Sequence, residues 1–214
     1  MIKSDEYQYG LEVTAAPAIE PVTTDEAIAH LREEEDLVQT DIVEALITAA
    51  RTWVEEYLQR SLLNTTFTLY LDNWGESDLS IPAELVGGGI FTTLFLPRPK
   101  VSAVSAIRYI DDAGTQQTLA TSKYRTDLKS LTARVSPAYG EVWPSHRAVS
   151  NAIEVDFVAG YGAEVTDVPQ PIKTAILFLV SHWYDNRSPV ELGSSAGEVP
   201  MTVKFLLGPF RVRS

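Results

Sequence analysis

The run Thr40–Arg60, TDIVEALITAARTWVEEYLQR, constrains the fold more than any other stretch of this chain. Ile42, Val43, Leu46, Ala49, Ala50, Trp53, Val54, Tyr57 and Leu58 recur at three- and four-residue steps, while Asp41, Glu44, Arg51, Glu55, Glu56 and Arg60 stay largely off that stripe. The pattern predicts one long amphipathic helix over 41–60, capped by Thr40 or Asp41, whose apolar side must be covered. A matching surface lies far along the chain at Pro171–Arg187, PIKTAILFLVSHWYDNR. There Pro171 suits a helix start and Ile176–Val180 is apolar on every side, as in a buried helix. The two runs are expected to pack together, with Leu46, Trp53, Tyr57, Leu179 and Trp183 in the helical core or at an interface and Trp53 buried mid-stripe. Whatever lies between them must then leave and return at one place.

From Asn64 the apolar period drops from helical to two. Phe67, Leu69 and Leu71 alternate with Thr66, Thr68 and Tyr70, which is strand chemistry. Asn73–Gly89 is punctuated by Gly75, Pro82 and Gly87–Gly89 and reads as loop; the glycine triplet lacks the Gly-Lys-Ser/Thr and the helix of a phosphate loop. Strand signals resume at Phe91–Leu96. Val104–Ile110 then runs into a turn at Asp111–Gly114 and returns through Gln116–Leu119 as a hairpin. Tyr124–Leu128 and Leu131–Val135 form a second candidate pair. Ile153, Val155, Phe157 and Ala159, alternating with Glu154 and Asp156, make the clearest strand of all. The implied fold is α+β: a helical core of 41–60 packed on 171–187, with a small all-β domain, barrel or sandwich, inserted over 64–163.

The flanks complete the organisation. Residues 1–21 read as an N-terminal arm or edge strand, with the alternation Leu11, Val13 before Pro17 and Pro21. Thr23 and Glu26 have the form of a capping box, and Ala27, Ile28 and Leu31 stripe a short helix that should end in the acidic turn Glu33–Asp36. The helical core is therefore drawn from 22–63 and 168–190. Beyond it, 191–214 comprises a linker at Gly193–Gly197 and a basic, apolar segment, MTVKFLLGPFRVRS. Lys204, Phe205, Leu206, Leu207, Phe210 and Arg211 there are expected either to dock on a partner or to pack back on the chain's own helices.

Composition narrows function. The 214 residues carry a formal charge of −12, and residues 1–60, with 4 basic and 14 acidic side chains, hold most of it. An acidic third of this kind argues against direct nucleic-acid binding, which relies on Lys and Arg at phosphates. Zero cysteines remove disulfides, thiolate metal sites and cysteine nucleophiles. The longest uncharged apolar run, Ala175–Val180, is far short of the roughly 20 residues that span a bilayer. His30, His146 and His182 fall in different elements without a second ligand at metal spacing. Ser181, His182 and Asp185 on one helix do not form a relay, and a Gly-x-Ser-x-Gly elbow is missing. The expectation is of no metal, no cofactor and no catalytic residue.

Several runs taken in order suggest a family. EPVTTDEAIAHLRE at 20–33, DIVEALITAARTWVEEYLQRSL at 41–62, LPRPKVSAVSAIRYIDDAG at 96–114, YRTDL at 124–128, then VWP, NAIEVDFVAGYG and VPQPIKTAILFLVSHWYDNR, resemble the head-tail connector (adaptor) proteins of tailed phages, prophages and gene transfer agents. The resemblance implies a non-enzymatic ring of about twelve copies that docks beneath the portal protein, meets stopper or tail proteins below, and lets DNA pass without sequence-specific binding or membrane contact. Its helices would form the ring body and its C-terminal segment would reach the portal. An acidic channel surface would let DNA slide. The rival readings are a stopper or tail-completion protein of the same neck, an acidic DNA-mimicking inhibitor, and an enzyme.

Overall fold

The computed structural model describes residues 9–31, 39–74, 93–186 and 200–212. The acidic turn expected at Glu33–Asp36, the glycine triplet Gly87–Gly89 and the linker at Gly193–Gly197 lie outside the described residues. The chain divides into two compact units, Pro17–Asn64 with Tyr161–Ser214, and Met1–Ala16 with Thr65–Gly160.

The first unit is helical. It contains α1 (Thr24–Leu31), α2 (Thr40–Leu58), α3 (Gln170–Asp185) and α4 (Met201–Leu207). The capping box opens α1 as the sequence suggests: the Thr23 amide donates to Glu26 Oε2 at 2.9 Å and the Glu26 amide to Thr23 Oγ1 at 3.1 Å. The cap of α2 is instead Gln39, one residue before the expected Thr40 or Asp41, in extended geometry with its carbonyl accepting from the Ile42 and Val43 amides. Gln59, in the left-handed region at φ 55°, ends the helix before the expected Arg60. Glu55 then captures the Leu62 amide at 2.8 Å and turns the chain inward, so that Leu62 and Leu63 are buried.

One stripe of α2 is sealed: Val43, Ile47, Ala50, Val54 and Leu58, each at most 2% exposed. They share a core with Ile172, Ala175, Ile176, Leu179 and Val180 of α3 and with Val22, Ala27, Val203 and Leu207. The seam is narrower than the sequence stripe, because residues three and four apart continue one line only along part of the helix surface. Leu46, Trp53 and Tyr57 are therefore only partly buried beside it, Ala49 is exposed, and Trp53 is not sealed as expected. On α3, Leu179 is fully buried and Trp183 partly so, and no residue from Ile172 to Tyr184 is exposed. The helix that is apolar all round is thus sealed by its own chain on one side, with Leu177, Phe178 and Trp183 only partly buried on the other.

Among the described residues the second unit has eight strands: β1 (Gly10–Ala15), β2 (Thr65–Leu71), β3 (Leu94–Phe95), β4 (Val101–Ile110), β5 (Gln116–Thr118), β6 (Tyr124–Asp127), β7 (Arg134–Pro137) and β8 (Ile153–Ala159). They form a five-stranded antiparallel sheet in the order β1-β2-β8-β4-β5 and a three-stranded one in the order β3-β7-β6. Phe67, Leu69, Ile107, Val155 and Phe157 of the first and Leu94 and Val135 of the second fill one core. Along β8, buried and partly buried residues alternate without exception, the period read from the sequence. Gly114, at φ +86°, turns the β4–β5 hairpin where a side chain would be strained. Two expected strands move: Phe91–Leu96 shortens to β3, with Phe91 outside the described residues, and Leu131–Val135 shifts to β7.

The β-rich part is not made from 64–163 alone. Residues 10–15 pair along β2 from Gly10↔Tyr70 to Ala15↔Thr66, with Thr14 Oγ1 donating to the Thr66 carbonyl, so a strand from the supposed arm completes the sheet. The physical reason is that β2 has β8 on one side only, and β1 satisfies the backbone groups of the other.

Neighbouring alanines on α2 test this core. Leucine at Ala50, which is 0% exposed, should overpack the seam and cost about 1–3 kcal/mol, whereas Ala49→Leu should change stability by less than about 0.5 kcal/mol, both measured by chemical denaturation.

Candidate assembly surfaces

In the helical unit the C-terminal segment divides by periodicity. Val203 and Leu207, four apart on α4, are both 0% exposed and enter the core beside α3. Lys204 and Phe205 point outward, with Phe205 74% exposed and Met201 72%. Leu206 and Phe210 lie partly buried against the core. Three contacts fasten the chain beyond α4: Arg60 Nε donates to the Phe210 carbonyl at 2.8 Å, the Val212 amide to the Leu58 carbonyl at 3.2 Å, and the Arg211 guanidinium lies 5.0 Å above the Tyr57 ring. Tyr57 in turn stacks on Trp53 at 5.1 Å, making a ladder of Trp53, Tyr57 and Arg211 along the flank of α2. Leu207, for which docking on a partner and packing back on the chain's own helices were both open, is an internal residue of its own unit. Lys204, Phe205 and Arg211 remain exposed.

In the β unit, residues of β6, β7 and the segments beside them line an open groove of about 770 Å³. Arg125, Lys129 and Arg134 line it with Asp127, Ser136 and Tyr139. Asp127 is its organising residue. The carboxylate accepts the Ser130 hydroxyl at 2.7 Å, the Lys129 and Ser130 amides at 3.1 and 3.3 Å, and Arg134 Nε at 3.0 Å. These donors, the Ser130 hydroxyl foremost, stabilise the ionised form and hold its pKa at about 2. On the five-stranded sheet, Arg108 bridges Glu154 and Asp156, whose Oδ1 also accepts from Thr68; the two carboxylates raise the Arg108 pKa further.

The three histidines sit apart. His30 meets the Phe178 ring at 5.6 Å, His146 Nε2 lies 3.3 Å from Asn73 Oδ1 beside Trp74, and His182 Nδ1 lies 3.4 Å from Asn186 Nδ2. Among the described residues there is no group of three metal-ligating side chains, and no helix is long and apolar enough to cross a membrane.

Residues 22–205 match the head completion protein family, which covers the helical core, the strands β2–β8 and most of α4. The chain belongs to that family. This membership makes it a structural protein of particle assembly and not an enzyme. Its fold recurs in a chain from the neck of an empty gene transfer agent particle computed with C6 symmetry, at TM-score 0.73 and 21% identity, with 96% of this chain and 97% of that one covered. A chain from the virion of a native gene transfer agent particle matches at 0.72 and 24%, covering 95% and 96%. Another, from the neck of a native particle computed with C12 symmetry, matches at 0.63 and 24%, covering 96% and 97%. At these identities the likeness establishes the shared fold. No curated protein matches.

Sequence reasoning missed the groove of this family member. Its signal was present in the alternation of Tyr124 and Thr126 with Arg125 and Asp127, but a four-residue strand with one buried position reads weakly without its neighbour β7. Two outcomes follow from the geometry. Truncation after Gly197 removes Val203 and Leu207 from the core and should lower the melting temperature by several degrees, whereas Phe205→Ala should leave it unchanged, as differential scanning calorimetry will show. Because Asp127 binds its proton less tightly folded than unfolded, its contribution is complete above the ordinary value near 3.8 and is lost as pH falls towards about 2. Asp127→Asn should therefore remove part of the acid sensitivity of the wild type in a pH series between 5 and 2.

Proposed function

We propose that this chain is the adaptor of a tailed-particle neck, a ring of about twelve copies that docks beneath the portal protein, extends the DNA channel and joins head to tail. The observation that carries this reading is the family match over residues 22–205, to which the fold shared end to end with gene transfer agent neck chains adds support. C6 and C12 symmetry in those necks supports a ring of copies here too. The protein would reside in the virion neck, and in the host cytoplasm during assembly, with the portal protein on one side and stopper or tail proteins on the other.

Within this reading Lys204, Phe205 and Arg211 are the docking residues for the portal or a neighbouring copy. They combine an exposed aromatic with two cations, the composition that anchors interfaces, on a short helix whose other side is fixed in the core. The ladder of Trp53 and Tyr57 beneath Arg211, with Leu46 and Trp183 partly buried in the same unit, supplies the flank of the ring body. DNA would pass without sequence-specific contact, since the chain carries a charge of −12.

Mass photometry of the protein mixed with its portal protein tests the assignment. A complex of the portal ring with about twelve added copies is expected. Phe205→Asp should weaken it about tenfold while leaving melting unchanged. Binding to tail-side proteins with none to the portal would instead make the chain a stopper or tail-completion protein.

A further inference from the structure

The groove on the three-stranded sheet has the composition of an interface. Tyr139 at its lip is 100% exposed, and Leu131 and Phe95, at the same sheet, are 61% and 48% exposed. Interfaces are enriched in tyrosine and arginine and depleted of acids at their centre. Three cations, Arg125, Lys129 and Arg134, line the groove against one acid, Asp127, in a chain whose charge is otherwise strongly negative. Asp127 is taken up by the Ser130 hydroxyl, the Lys129 backbone amide and the Arg134 guanidinium, which leaves the Arg125 guanidinium and the Lys129 ammonium as the outward charge. The groove therefore suits a negatively charged protein face. A phosphate backbone suits it less well, because it would make no use of Tyr139 at the lip.

The same chain carries exposed acids. Asp25 on α1 and Asp41, Glu44 and Glu56 on α2 are exposed, and Glu26, also exposed, is shared with Thr23 and with Lys173 Nζ at 3.8 Å. The one Lys or Arg on these two helices, Arg51, is held by Glu20 at 2.7 Å and Glu55 at 3.0 Å with 18% of its side chain exposed. One patch is thus basic and aromatic, and the other acidic. Opposite patches on one chain can join copies head to tail, the contact that closes cyclic rings.

We infer that the Arg125–Lys129 groove of one copy receives the acidic α1–α2 face of the next, forming the repeating contact of the ring. This rests on the ring reading above. It assigns the ring's cohesion in part to charge, so added salt should loosen it.

Native mass spectrometry across a protein titration, with and without portal protein, tests the contact. The charge reversal Arg125→Glu with Lys129→Glu should raise the concentration needed for ring formation at least about tenfold. Both side chains are exposed, and a circular dichroism melt matching the wild type will show that the variant folds. Adding Asp41→Lys and Glu44→Lys to that variant should restore rings, and the helix pair alone should lose them. Wild-type rings together with normal rings from the groove variant would overturn this contact and leave the adaptor reading standing. So would loss of rings that the swap does not restore. Rings unaffected by the groove variant, with retention of duplex DNA by the wild type alone, would make the groove a phosphate site and overturn the contact as well. A wild type that forms no ring even with portal protein would overturn the ring reading and this contact together.

Discussion

The burial of α2 against α3 is the constraint on which the helical unit depends. Val43, Ile47, Ala50, Val54 and Leu58 can be covered only by a helix supplied more than a hundred residues later, and α3, without an exposed position from Ile172 to Tyr184, can be stable only if it is enclosed. The cost of bringing such distant segments together grows slowly with the length between them, so a long excursion is tolerated. Two backbone bonds close its neck: the Asn64 amide donates to the Gly162 carbonyl at 2.8 Å and the Tyr161 amide to the Leu62 carbonyl at 3.2 Å. Glu55, reaching from α2 to the Leu62 amide, fixes where the chain departs.

With one side of α3 sealed by its own chain, the exposed surface is what the core does not consume. Of the C-terminal segment, Val203 and Leu207 complete the core and Phe205 is left outside. The segment is a structural part whose exposed side is held in place by Arg60, Leu58 and Tyr57. Preorganisation of this kind lowers the entropy lost when a partner binds. It suits a neck component that must hold a fixed geometry against the particle it completes.

Much of this was legible in the sequence where one element satisfies its own rule. The capping box of Thr23 and Glu26, the glycine turn at Gly114, and the strict alternation of β8 depend on neighbours a few residues away, and each was read from spacing alone. Where a distant partner decides, the reading was less sharp. Which residues of the α2 stripe are sealed depends on the line along which α3 lies, so Trp53 and Ala49 were placed too deep. Whether 10–15 is an arm or a strand depends on the free edge of β2. Whether Leu207 faces a partner or the core depends on α3. The basic groove needed β6 and β7 side by side before its charges could be seen to converge.

The central claim is that this chain is a ring-forming component of a particle neck. A cryo-electron microscopy map of the neck in particles assembled with the chain tests it most directly. The account predicts a closed ring of copies between portal and tail, with Phe205 and Arg211 facing an adjoining protein. Complete necks in particles lacking the chain, or a neck density into which its two units cannot be placed in repeated copies, would contradict it.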